Sequence, residues 1–210
     1  MKTLAILGAA DLGQQIAYYA IQDRHYSKVV FFDDFTKEKE INGFPIVGNS
    51  DDIVSAYHDG LFNEIIIAIG YKHLQKKKEI YNLLEQKNIS FGKIIHSSSW
   101  VDQTAEVKPG SVIYPGCIID ANAVISENTV LNVGCAIAHD TIIGKHSFLS
   151  PRVAVAGFVN VGERCVLGIN STIIDNIEIV AGTQIGAGSV VISSIVNAGL
   201  YVGNPHRFIR

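Results

Sequence analysis

His139 and Asp140 place an imidazole beside a carboxylate, the pairing that general-base chemistry needs near neutral pH. The carboxylate orients the ring and steadies its cationic form, leaving the second ring nitrogen to take a proton. A solvent-facing histidine alone does not imply catalysis; the adjacent Asp140 makes the pair a candidate. His146 is a weaker candidate, while His25, His58 and His73 show no ligand spacing and read as surface residues. Glycines 157, 162, 168, 182, 186 and 188 follow the pair and leave room for an extended ligand.

What must position that pair is a repeat. From Val101 to Val191 an aliphatic residue recurs at every sixth position, through Ile119, Ile137, Val155 and Ile173 among others. A helix repeats at about 3.6 residues and a strand at about 2, so neither accounts for the spacing. A hexapeptide β-helix does, because each unit is a short strand plus a turn that sends one aliphatic side chain into a common column. Four residues further on in each unit stands a mostly small residue, such as Ala123, Thr141 or Ser171, with Val153, Val159 and Ile177 as exceptions. Small residues between large ones let coils stack at interior density. Cys117, Cys135 and Cys165 fall on that small phase and read as core residues, which leaves no obvious cysteine to carry an acyl group. In this register His139 and Asp140 occupy an outward turn.

Composition fits a soluble globular chain: 210 residues, 18% charged, 48% hydrophobic and a net charge of -3. That charge offers no general attraction to nucleic acid or acidic membranes. No apolar run approaches the roughly 20 residues that span a bilayer. Asp11 interrupts the apolar start before it reads as a signal peptide, so a cytoplasmic protein is expected.

Before the repeat, strand-like and helix-like segments alternate: Lys2 to Leu7, a helix from Asp11 to Asp23, Val29 to Phe32, Phe44 to Val47, a helix from Asp51 to Tyr57, Glu64 to Ile69, a helix from about Lys72 to Gln86, and Lys93 to Ile95. This order predicts a small Rossmann-like α/β domain over 1–96, followed by a β-helix domain over 97–210, with Ser97 to Trp100 as the hinge. The turn Gly8-Ala9-Ala10-Asp11-Leu12-Gly13 sits where a phosphate loop belongs, and Asp33 lies about twenty residues beyond it. Ala10 replaces the middle glycine of G-x-G-x-x-G, which weakens the case for a dinucleotide. Gly8 and Gly13 serving only for close packing is the plain alternative. Asp33, Asp34 and the later Ile69-Gly70 turn open at the same sheet edge. Lys72, Lys76, Lys77 and Lys78 read as a solvated run, with Lys72 able to meet a phosphate.

The whole chain resembles the bacterial sugar acyltransferases that join a Rossmann-like domain to a left-handed β-helix. These include the nucleotide-linked amino-sugar N-acetyltransferases of bacillosamine and perosamine pathways and the sialic acid O-acetyltransferases. The resemblance rests on the Gly8 turn, Phe32-Asp33-Asp34, residues 43–48, Ala68-Ile69-Gly70, Ile95-His96, Leu131-Asn132, His139-Asp140, residues 168–171 and the closing Gly203-Asn204-Pro205. It implies a homotrimer, acetyl-CoA as co-substrate in a groove between β-helices, no metal, and a nucleotide sugar held by the first domain. By matching position, it implies His139 as base with Asp140 beside it. Gly157, Ile169, Ala187, Gly203 and Pro205 then fall to acetyl-CoA, and Gly8, Ala9, Ala10, Asp33, Asp34, Ile69, Gly70 and Asn132 to the acceptor. Two positions depart from the family's pattern: Asp11-Leu12 replace Gly-His in the first turn, and Phe148 replaces a histidine nine residues after the base.

The resemblance implies direct acetyl transfer to a sugar amine in bacterial surface-glycan biosynthesis. O-acetylation of a sugar or sialic acid hydroxyl would use the same site. A non-catalytic β-helix scaffold and a dinucleotide oxidoreductase remain as readings of other classes. A zinc enzyme on this architecture needs several convergent histidines, and the repeat offers only His139 and His146.

Overall fold

The computed structural model describes residues 2–210. The chain forms two compact units, one ending at Ile94 and one spanning Ile95–Arg210.

In the first unit the strands are β1 (Thr3–Leu7), β2 (Lys28–Phe32), β3 (Glu40–Ile41), β4 (Phe44–Gly48) and β5 (Glu64–Ile67). The helices are α1 (Asp11–Gln22), α2 (Ile53–His58) and α3 (Leu74–Gln86). The sheet runs β3-β4-β2-β1-β5, parallel except for β3 against β4. Leu4 to Leu7, Val29 to Phe32 and Ile65 to Ile67 are unbroken apolar runs because both sheet faces are covered. One face packs Ala5, Leu7, Val30 and Phe32 against Ile53, Tyr81 and Leu84. The chain moves from β1 to β2 on one side and reaches β5 on the other, so the topological switch lies at the carboxyl end of β1, where α/β sheets bind ligands.

Two local outcomes differ from the sequence expectation. Lys77 is not on a solvated face: at 1% exposure it shares the buried stripe of α3 with Leu74, Tyr81 and Leu84, and burial pushes its ammonium down to about 7. The hairpin of β3 and β4 was not anticipated; it turns on Asn42 (φ 52°) and Gly43 (φ 81°), left-handed conformations that Asn and Gly adopt at low cost.

The second unit is a left-handed parallel β-helix of two-residue strands on three faces. From Trp100–Val101 to Thr172–Ile173 each strand pairs with the one 18 residues later, so Ile119, Ile137, Val155, Ile173 and Val191 stack in one column, and the last coil closes with the 16-residue pairing of Ile185 with Tyr201 and an antiparallel end strand. The six-residue period is thus one side of a three-sided coil. All the sixth-position aliphatics except Val101 are buried, and each contributes roughly 1.5–3 kcal/mol.

The small phase does more than leave space. Thr141 Oγ1 donates to the Ala156 carbonyl at 2.7 Å and accepts from the Val159 N–H at 3.2 Å, and Ser147 repeats the pattern with Gly162 and Cys165. The cysteines occupy equivalent posts: Cys117, Cys135 and Cys165 direct their thiols at the carbonyls of Asn132, Ser150 and Val180. All three are free and buried, and burial pushes the Cys165 thiol up to about 11, far from a reactive thiolate.

Candidate active site

Turns follow each strand at three edges of the prism. Their third residue after the column aliphatic is left-handed in coil after coil, from Gly110 to Gly188, and its N–H donates to the apex residue of the previous coil wherever such a bond forms. His139 is an apex residue and Asp140 the left-handed one, with φ 56° and its N–H bonded to the Ala121 carbonyl at 2.9 Å. Asp tolerates that conformation better than most residues. The resulting bend turns its carboxylate back on its neighbour: His139 Nδ1 lies 2.9 Å from Asp140 Oδ2. Asn122, one coil earlier, donates to Oδ1 at 3.1 Å. Hydrogen bonds from His139 and then Asn122 hold the Asp140 carboxyl below its usual range. An ionised Asp140 accepts from Nδ1–H, which leaves Nε2 as the basic nitrogen.

Gly157 stacks below His139. A Cβ built there would lie 2.8 Å from Cε1 and 2.9 Å from Nε2 of the imidazole, so the ring rests on a surface that only glycine leaves flat. Among the described residues, the Gly157 N–H has no acceptor. Phe158, which sequence reasoning missed, meets the ring edge-on with centroids 5.1 Å apart.

Ala138 and Ala156 border an apolar hollow of about 300 Å³ on the face built from strands such as Ala136–Ile137 and Ala154–Val155. Ile118 and Asp120 close one end and Thr172 the other. Ile169 and Ala187 stand at apices of the edge across that face, with the Gly188 N–H bonded to the Ile169 carbonyl. The tail returns to the end of the same face: Gly203 N–H donates to Ser189 Oγ, its carbonyl accepts from Val190, and Pro205 follows in the turn. Gly157, Ile169, Ala187, Gly203 and Pro205 therefore flank one face. Asn132 lies in a turn of the Ile169 edge, where its Oδ1 accepts from the Val133 N–H at 2.7 Å.

His146 is a correction. It falls one position later in its turn than His139 does, takes φ 61°, and is buried at 2% exposure with Nδ1 3.0 Å from Asn128 Nδ2. It is a turn-locking residue, not a surface base.

In the first unit, the carboxyl ends of β1, β2 and β5 gather Gly8, Ala9, Ala10, Asp33, Asp34, Ile69 and Gly70. Gly8 (φ 106°) and Gly13 approach so closely that a Cβ on Gly13 would fall 1.9 Å from the Gly8 carbonyl oxygen. Asp33 accepts from the N–H groups of Ala9, Phe35 and Thr36 at 2.7–2.9 Å. Burial raises its pKa, but those three donors outweigh it and hold the carboxyl low. Asp34 accepts from the Ser50 N–H at 2.7 Å. Both carboxylates thus shape the loops around the crevice. Ala10 caps α1 with no side-chain bond, so its first-turn N–H groups keep their anion-binding capacity.

Together these features define a class: a Rossmann-like domain joined to a left-handed β-helix that carries an oriented histidine on one edge. Residues 3–84 match the family model described as the PglD N-terminal domain. No curated protein sequence matches the chain. The acetyltransferase domain of PglB from Neisseria gonorrhoeae FA1090 shares the fold at TM-score 0.91 and 23% identity over 100% of both chains. PerB from Caulobacter crescentus, solved in complex with CoA and GDP-perosamine, does so at TM-score 0.90 and 24% identity over 100% of this chain and 98% of that one. WeeI from Acinetobacter baumannii AYE follows at 0.87 and 21%, again over 100% of each chain. Identities of this size establish a common fold.

Proposed function

We propose that the protein is an acetyl-CoA-dependent N-acetyltransferase acting on the amine of a nucleotide-linked amino-deoxy sugar. The observation that carries this reading is the His139–Asp140 pair set on Gly157, with an apolar hollow running from it across one face. Support also comes from two proteins of the same fold: the PglB domain was solved with acetyl coenzyme A, and PerB with CoA and GDP-perosamine.

In this mechanism the sugar nitrogen attacks the thioester carbonyl and His139 Nε2 takes its proton. Asp140 stabilises the imidazolium, and the Gly157 N–H supports the developing oxyanion. The C–S bond then breaks, and the proton held by His139 passes to the leaving thiolate of CoA. A neutral amine is already nucleophilic, so positioning supplies much of the rate and the base keeps the adduct from reverting.

The acyl donor lies along the alanine-lined face, held by Ile169, Ala187, Gly203 and Pro205. Trp100 and Ile118 on that face are 53% and 51% exposed, which fits a homotrimer in which a second β-helix covers them. The crevice at Gly8 to Ala10, Ile69 and Gly70, shaped by Asp33 and Asp34, takes the nucleotide, and α1 presents its N–H groups to the phosphates. Asn132 serves the sugar. The reaction belongs in the cytoplasm, where acetyl-CoA and nucleotide sugars meet, as a step toward a bacterial surface glycan. Among the described residues no helix is long and apolar enough to cross a membrane, and no group of three His, Cys, Asp or Glu is placed to hold a metal ion.

The test is mass spectrometry of products from acetyl-CoA and a panel of UDP-, dTDP-, GDP- and CMP-linked amino sugars, with sialic acids alongside. Acetylation of an amine on one nucleotide class is expected. Acetylation of hydroxyls alone would replace this reading with O-transfer, and absence of acetyl-CoA binding would leave a scaffold.

A further inference from the structure

Phe158 is the one phenyl side chain at the left-handed turn position, where His146, Arg152 and Arg164 are the other residues that are not Gly, Asn or Asp. At every sixth position from Gly110 to Gly188 the backbone is left-handed, and most of these positions hold Gly, Asn or Asp. Phe158 takes the same conformation at φ 57°, where a bulky side chain is an outlier. Core packing does not account for it, since the residue is 56% exposed. What it touches is His139: the two rings stand 5.1 Å apart at 86°, and the Phe158 N–H donates to the His139 carbonyl at 3.2 Å. The imidazole therefore meets Gly157 beneath it, Asp140 at Nδ1 and the Phe158 ring perpendicular to it.

We infer that Phe158 is a positioning residue for His139: its ring closes the remaining rotamer freedom of the imidazole, so that Nδ1 stays on Asp140 and Nε2 faces the substrate side. A backbone conformation disfavoured by an aromatic side chain is retained because of where it puts that ring. Strain of this kind gathers at functional sites when neighbouring structure enforces it. Asn122, Asn128, Asn170 and Asn176 supply the control, since asparagine fills the same backbone position elsewhere in the prism.

The kinetic arm of the test rests on the acetyl-transfer reading, and the spectroscopic arm does not. Phe158→Asn should raise the melting temperature by about 2–4 °C through relief of the left-handed aromatic, as a gain of modest size does in a chain this long. The same variant should lower kcat about tenfold, with KM for acetyl-CoA changed less than twofold, because a loosened base lowers rate without weakening donor binding. Phe158→Tyr should restore kcat. Nitrogen-15 NMR of the His139 imidazole should show one Nδ1–H tautomer in the wild type, and in Phe158→Asn an averaged tautomer with loss of the ring-current shift. Unchanged imidazole resonances in Phe158→Asn would overturn the inference, as would a fall in kcat accompanied by a fall in melting temperature. If wild-type protein acetylates no acceptor, the function proposed above fails while the NMR comparison still decides the role of Phe158.

Discussion

His139 Nδ1 and Asp140 Oδ2 lie 2.9 Å apart although the two residues are neighbours in sequence. Adjacent side chains in an extended strand point to opposite faces, so they meet here only because Asp140 is left-handed at a β-helix turn. The pairing is a property of the coil, which ties the chemistry to the architecture.

Replacing Asp140 by Asn should keep the turn, because asparagine accepts the same backbone conformation at Asn122 and Asn128. It removes the charge that fixes the Nδ1–H tautomer. We expect kcat to fall about 10–100-fold, short of the loss caused by removing the base itself, with an unchanged melting curve. Because hydrogen bonds from His139 and Asn122 hold the wild-type carboxyl below its usual range, Asp140 should add no ionisation to the kcat/KM profile above about pH 4.

Gly157→Ala should reduce turnover at least about tenfold while the β-helix still folds, since the new methyl would sit 2.8 Å from His139 Cε1 and must push the ring off its post. Steady-state kinetics and a thermal melt together check this. Wild-type rates in that variant would show that the ring does not depend on the flat surface.

Lys77 gives a pH signature unrelated to catalysis. Burial lowers its folded pKa to about 7, below the unfolded value near about 10.4, so between those limits the unfolded chain binds more protons. The stability of the first unit should therefore rise with pH from about 7 to about 10. Lys77→Met should flatten that rise, as urea denaturation at several pH values will read.

Asp33→Ala should destabilise the first unit by about 1–3 kcal/mol, since three backbone N–H groups lose a charged acceptor. The folded carboxyl titrates below its ordinary value, so this stabilisation is present above the unfolded pKa near about 4 and is lost as pH falls through the folded one. Denaturant titration of wild type and variant at pH 7 and pH 3 checks both parts; equal differences at the two pH values would contradict the assignment.

The six-residue spacing was legible because each aliphatic has one destination, the inside of the prism, and no other regular element shares that period. The strands of the first unit were legible for a related reason, since runs such as Ile65 to Ile67 must be covered on both sides. The left-handed phase was harder to see: Gly, Asn and Asp fill most of it, but His146, Arg152, Phe158 and Arg164 stand in it too and break the compositional signature. That is why His146 read as a weaker candidate base and Phe158 went unnoticed. Counting three residues on from Ile143 and Val155 would have placed both. The burial of Lys77 was visible in the spacing of Leu74, Tyr81 and Leu84 but was masked by the lysines around it. The donors that occupy Asp33 come from two separate loops and left no pattern in the sequence.

The central claim is that His139 Nε2 accepts the proton of the attacking amine. Its most direct measurement is kcat of His139→Ala against wild type, with acetyl-CoA and whichever amino-sugar nucleotide the panel identifies. The expected result is a loss of about two to four powers of ten with acetyl-CoA affinity and melting temperature unchanged. Wild-type turnover in that variant would contradict it.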